Sequence, residues 1–110
     1  MEEFIKGSVV IINYPFSDFS SQKKRPALVI ATPKGQDIIL CQITSQNHYD
    51  SYSLVLDSDD FLKGSLHQKS YIRPNKIISI DKSIVSYTIG SIHHSKLAIV
   101  IDKIIEVIKQ

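Results

Sequence analysis

Apolar residues fall in short runs separated by turn-forming residues along most of the chain, and only near its end does their spacing change. SVVIINY, Ser8 to Tyr14, is rich in β-branched residues, follows Gly7 and stops at Pro15, and it predicts a first strand. PALVIAT, residues 26–32, predicts a second strand, and PKGQ after it a turn in which Gly35 can take positive φ. DIILCQIT, Asp37 to Thr44, predicts a third, and its nearly continuous apolar filling predicts burial on both faces. SLVLD predicts a short fourth strand, and SDDFLKGS, Ser58 to Ser65, a turn or a single helical turn. KSYIRPNKIISID, Lys69 to Asp81, reads as strand pieces interrupted by Pro74, which cannot donate to a ladder and so belongs at an edge, bend or bulge. YTIGSI, Tyr87 to Ile92, predicts a last short strand.

In SKLAIVIDKIIEVIKQ the period becomes helical: Leu97, Val100, Ile101, Ile104, Ile105 and Ile108 recur on one side, with Lys96, Asp102, Lys103, Glu106 and Lys109 on the other. The helix starts at His94 or Ser95, and Ile99 and Val107 broaden its apolar face enough to meet two surfaces. The expected fold is mainly β: a small curled sheet or barrel of about six or seven strands packed by a C-terminal helix. The 110 residues suit one domain, 1–110.

Charge narrows the picture only slightly. Thirteen Lys and Arg against 11 Asp and Glu leave a net charge of +2, room for a local basic patch but no general affinity for polyanions. The single cysteine, Cys41, excludes a disulfide framework and a cysteine-rich zinc site, and its apolar surroundings predict a buried, inert thiol. MEEFIKG lacks an apolar signal core and no run approaches the roughly 20 apolar residues of a membrane span, so a cytoplasmic protein is expected.

Phosphate-binding loops, zinc signatures and nucleophile elbows are absent from the sequence. Adjacent His93 and His94 do not share a face and make a poor metal pair; a surface or capping role suits them. His67 and His48 lie in polar segments, and Asp59 and Asp60 lack the other ligands of a calcium loop. Neither a metal nor another cofactor is expected. What remains is Arg25, Thr44 and Arg73. Arg25 ends a polar loop of about ten residues, Phe16 to Arg25, long enough to be functional. Thr44 closes the third strand, so a hairpin of strands two and three brings the two to the same end. A guanidinium fork and a hydroxyl together suit a phosphate. The competing reading is that both arginines are surface residues anchored by their stems.

KGSVVIINYPFSD, KKRPALVI, CQITSQ, SYIRPNKIISIDKSIV and IGSIHHSKLAIVIDKI, in this order from Gly7 to about Ile105, resemble the PemK/MazF family of type II toxin–antitoxin ribonucleases. The resemblance implies an SH3-like barrel of the MazF/CcdB type with a C-terminal helix. It implies a homodimeric mRNA interferase that cuts single-stranded RNA without a metal, leaving a 2′,3′-cyclic phosphate and a 5′-hydroxyl. A cognate antitoxin would lay an acidic, extended segment across the RNA groove. The family's catalytic arginine and threonine fall on Arg25 and Thr44, and the loop before Arg25 becomes a cover for the groove. RNA-contacting residues are then expected among Phe16, Ser20, Lys23, Lys24, Ser45, Gln46, His48, Arg73, Asn75 and Lys76, with Lys23, Lys24, Arg73 and Lys76 tracking the backbone. Where several members carry a glutamine and an arginine before I-D-K, this chain has Lys76 and Ile78. Two rival functions share such a barrel: a CcdB-like poison of DNA gyrase, and a module that binds RNA or protein without cutting.

Overall fold

The computed structural model describes residues 4–14 and 23–110, with the side chains of Tyr14 and Lys23 outside that description. Seven strands form one sheet: β1 (Ser8–Tyr14), β2 (Lys23–Ala31), β3 (Asp37–Thr44), β4 (Leu54–Leu56), β5 (Phe61–Gly64), β6 (Ser70–Asp81) and β7 (Val85–Ile92). A terminal helix, α1, runs from His94 to Ile108. Every pairing is antiparallel, in the order β4-β6-β3-β2-β1-β7-β5. The two hairpins β1–β2 and β2–β3 build the centre, and β7 returns to flank β1.

The sheet is curled. Its principal extents are 32 × 31 × 30 Å, whereas seven flat strands would make a slab about 34 Å wide and only ~10 Å deep. Curling gives the central strands two buried faces. Val9, Leu28, Ile30, Cys41, Ile43 and Ile72 meet Leu97, Val100 and Ile104 of α1. Val10, Ile12, Ala27, Val29, Ile38 and Leu40 point the other way into the hollow of the curl. Alternation along β1, β2 and β3 sorts the residues between the two cores, which is why these strands read as unbroken apolar runs.

Both prolines inside strands sit where a ladder has a gap. Partnership with β3 begins at Ala27, so Pro26 stands where only β1 runs alongside. In β6 the register against β3 jumps from Ile77 opposite Cys41 to Arg73 opposite Gln42, and Pro74 lies in that bulge. Two expectations need correction. β2 starts at Lys23 rather than Pro26, because β1 extends far enough to pair with Lys23, Lys24 and Arg25; the basic residues belong to the strand and not to the loop. Residues 61–64, read as part of a turn, form edge strand β5 after a short 3₁₀ turn at Ser58–Asp60. There Gly64 pairs with Gly90 of β7, and a Cβ on Gly90 would collide with the Lys63 carbonyl. That close approach between two glycines carries no hydrophobic signal in the sequence.

The helix buries Leu97, Val100 and Ile104. Val107 is half buried, while Ile99, Ile105 and Ile108 are exposed outside the buried stripe. His93 takes the N-cap position without a side-chain capping bond. Among the described residues no helix is long and apolar enough to cross a membrane.

Candidate functional site

The site grows out of strand register. Ala27 of β2 faces Gln42 of β3 at the last rung of their ladder, and two residues beyond it on their strands Arg25 and Thr44 line one groove. Partners across an antiparallel ladder share a face. Arg25 and Thr44 therefore project on the same side as Ile12, Ala27 and Leu40, at the open end of the inner core. On the far side of β3, Gln42 faces Arg73 of β6, and this second row lies immediately behind the first.

The two rows floor a groove of about 520 Å³. Arg25, Thr44, Gln46, His48, Arg73, Asn75 and Lys76 line it, above a base of Ile12, Ala27 and Leu40. Apolar residues thus form the floor and donors the wall, an arrangement that strengthens any charge interaction made inside. The bulge at Pro74 is what turns Asn75 and Lys76 toward the groove, since it breaks the alternation that would otherwise send one of them away.

Thr44 is buried, and its Oγ1 accepts a hydrogen bond from the Gln46 backbone N–H at 3.1 Å. That contact fixes the oxygen and leaves the hydroxyl proton to be donated into the groove. The following loop is held by its own side chains. Asn47 Oδ1 accepts from Tyr49 N–H at 2.9 Å, supporting the positive φ of 53° at Tyr49. Asp50 Oδ1 accepts from the N–H groups of Tyr52 and Ser53 at 3.0 and 2.8 Å. The Tyr52 hydroxyl donates to Gln110 Oε1 at 3.0 Å, tying the loop to the end of the chain. From the other oxygen of Asp50, an ion pair of 3.2 Å reaches Arg73 Nη2, with the two side chains 25% and 12% exposed respectively.

The Ser53 backbone N–H, helped by Tyr52 N–H and Arg73, holds the Asp50 carboxyl down from 3.8 to about 2 against the opposing cost of its partial desolvation. A carboxyl depressed in the folded state contributes stability above its ordinary value and loses it as pH falls through the lower one. Wild-type stability should therefore drop between pH ~4 and ~2 by an amount that the Asp50→Asn variant lacks, measured by urea unfolding across that range. Cys41, one residue before Gln42, points into the opposite core, where burial pushes its thiol up to about 12. It is not a nucleophile.

The expected site residues separate into three groups. Arg25, Thr44, Gln46, His48, Arg73, Asn75 and Lys76 come together in the groove. Lys24 and Ser45 do not: with Pro26 and His67 they line a second hollow of about 390 Å³ that adjoins the groove at Arg25 and Thr44, which line both. Lys24 there places its ammonium 5.5 Å from the centre of the Tyr87 ring, a cation–π contact. Phe16 and Ser20, like the side chain of Lys23, lie outside the described residues. Two groove-associated residues escaped the sequence reading. Gln42 was accessible to it, since it lies two positions before Thr44 on the same strand and must share its face. Asp50 carried only the local signal of an Asx turn, an aspartate ahead of Ser-Tyr-Ser.

The family comparison now bears on this geometry. The PemK-like, MazF-like toxins of type II toxin–antitoxin systems match residues 5–108 of the chain. The protein belongs to this toxin family. No curated sequence matches the chain. Among solved structures, a mycobacterial endoribonuclease in complex with its cognate antitoxin superposes with a TM-score of 0.78 at 11% identity, over 97% of this chain and 96% of its own. The Mycobacterium tuberculosis toxin MazF-mt6 gives 0.74 at 16%, over 93% and 96%. MazF of Deinococcus radiodurans gives 0.70 at 20%, over 96% of each chain. At these identities the superpositions establish a MazF-like fold, and membership of the toxin family rests on the match over 5–108.

Proposed function

We propose that this toxin is a metal-independent endoribonuclease that cleaves single-stranded RNA, with Arg25 and Thr44 as its catalytic residues. The observation that carries the reading is that both line one apolar-floored groove together with Arg73 and Lys76. RNA supplies its own nucleophile. The 2′-oxygen attacks phosphorus, its proton leaves to a base, the bond from phosphorus to O5′ breaks, and O5′ takes up a proton. The products are a 2′,3′-cyclic phosphate and a 5′-hydroxyl.

Negative charge grows on the non-bridging oxygens along this path. A guanidinium fixed on a strand beside a low-dielectric floor stabilises it without reorganising. Thr44 is too weak an acid to act as base; its anchored hydroxyl donates to a phosphate oxygen and positions it. His48 lines the same groove, and its imidazole is a group that can take the 2′-proton or return one to O5′. Thr44→Ser keeps the hydroxyl and should retain more activity than Thr44→Val.

Purified protein incubated with an unstructured RNA in excess EDTA tests the reading on a denaturing gel. Cleavage to cyclic-phosphate and 5′-hydroxyl ends is expected. An absolute need for magnesium would sink the mechanism. Binding without any cutting would favour a non-catalytic module, and gyrase inhibition without RNA cleavage the CcdB-like alternative.

The partners follow from the same surface. Two copies of the chain would put two sets of Arg25 and Lys76 on one face, concentrating positive charge that +2 per chain does not suggest. An antitoxin segment carrying acidic residues would compete with RNA there, in keeping with the complex of the mycobacterial endoribonuclease with its antitoxin. Sedimentation at micromolar concentration should give the mass of a homodimer; a monomer defeats this part of the proposal.

A further inference from the structure

We propose that Arg73 reads the edge of an unstacked RNA base, and that Asp50 is the positioning residue that makes it a base reader instead of a phosphate clamp; this rests on the ribonuclease reading above. Arg73 lies in the row behind Arg25 and Thr44, opposite Gln42, with its side chain only 12% exposed. Its Nη2 is 3.2 Å from Asp50 Oδ2. A guanidinium already matched by a carboxylate adds little net charge to the groove. A phosphate brought to Arg73 would also meet that carboxylate, and two anions in a partly buried site repel. Lys76 differs: it is exposed on the same groove and has no ion pair among the described residues.

Neutralising a guanidinium removes its pull on a polyanion but not the direction of its donors. Asp50 fixes that direction because it is itself fixed, its second oxygen being held by two backbone N–H groups. Among the described residues Arg73 donates only to Asp50, and its buried Nε has no acceptor. The sealed Nε is out of a ligand's reach, but the Nη groups carry more N–H bonds than Asp50 takes up, and these donors remain for a base. Arginine offers N–H groups and no acceptor, so the base it reads must present acceptors. On the edge that carries N7 in a purine and the 4-substituent in a pyrimidine, guanine presents O6 and N7 and uracil O4, whereas adenine sets an amino donor beside its N7 and cytosine one in place of O4. The inferred ligand is a keto base, guanine or uracil, next to the scissile phosphate. The amide of Gln42 lines the same part of the groove and can donate or accept beside it.

Two measurements on the full chain test this. Cleavage of a random-sequence single-stranded RNA, with 5′-hydroxyl ends sequenced, gives the motif. Salt titration of binding to a 2′-O-methyl RNA of the same sequence gives the number of phosphates neutralised. The wild type should select guanine or uracil at one position of its motif. Arg73→Ala should relax that position by roughly 5- to 100-fold, and the double variant Arg73→Ala with Asp50→Asn, which removes both charges of the pair, should leave the salt slope unchanged. Arg73→Lys, which retains the charge and loses the planar fork, should relax it as well. Lys76→Ala should keep the motif and flatten the log–log slope by about 0.7. Asp50→Asn should steepen the slope by a similar amount, because it frees the charge of Arg73, and should weaken the selection. An Arg73→Ala protein with an intact motif overturns the inference. So does a double variant, Arg73→Ala with Asp50→Asn, whose slope flattens as in Lys76→Ala, or an Arg73→Ala protein whose relaxed position selected adenine or cytosine. An unchanged slope in Asp50→Asn overturns the role of Asp50. If the wild type neither binds nor cuts RNA, the ribonuclease reading falls too, an outcome distinct from cleavage with a motif indifferent to Arg73.

Discussion

Arg25→Ala is expected to lower RNA cleavage by about 10²–10³-fold, the usual cost of removing one preorganised contact to a developing oxyanion. Arg25 is half buried at the open end of the inner core, where the side chains of Ile12, Ala27 and Leu40 form the floor. Truncating it removes a charged head and a packed stem but opens no space within either core, so the protein should still fold. The loss should appear in the cleavage step more than in binding, since Lys76 and the rest of the groove still hold the RNA. Single-turnover cleavage, with circular dichroism to confirm folding, separates the two. A folded Arg25→Ala protein that cuts at a near-normal rate would remove Arg25 from the mechanism.

One residue before Thr44, the expectation reverses. Ile43 is 1% exposed and packs in the core beneath α1, with Leu28, Ile72 and Val100 in the same cluster. Ile43→Ala should cost about 2–5 kcal/mol, the transfer term of the lost methyl groups plus the cavity they leave. Against the ~5–15 kcal/mol that holds a domain of this size folded, that is a large fraction. Each kcal/mol should lower Tm by roughly 4–8 °C. Thermal unfolding measures the loss, and Thr44→Val under the same conditions should show a much smaller one. Equal destabilisation by the two substitutions would mean that Thr44 belongs to the core and not to the groove.

Ile43 and Thr44 show what was readable along the chain and why. A strand alternates its faces every residue, so the run DIILCQIT already contained both cores and one wall of the groove. The third strand has the bounds its composition predicted, and the helix begins at His94, one of the two starts expected. Local chemistry sufficed for these, because apolar period and capping act over a few residues. Edge strand β5 was not readable in the same way. It exists because Gly64 and Gly90 allow two backbones to approach closely, a long-range fact carried by residues without side chains. The basic run Lys23 to Arg25 looked like loop because it is polar, and pairing with β1 made it strand.

The site divides along the same line. Arg25, Thr44 and Arg73 stand out in the sequence by residue type, and a hairpin of the second and third strands was enough to bring the first two to one end. Which way each neighbouring side chain turned needed the register: Lys24 is adjacent to Arg25 yet lies over Tyr87 and does not line the groove. The bulge at Pro74 decided that Asn75 and Lys76 both line the groove. The pairing of Asp50 with Arg73 joins residues 23 apart in the chain, and neither carries a local mark of the other. By itself the sequence determined six of the seven strands, the helix and the identity of the candidate groups, since these follow from short-range period and side-chain chemistry. Only the tertiary structure decided which of those groups share one groove and which cation is neutralised there, because charge pairing depends on distances that the curl of the sheet sets.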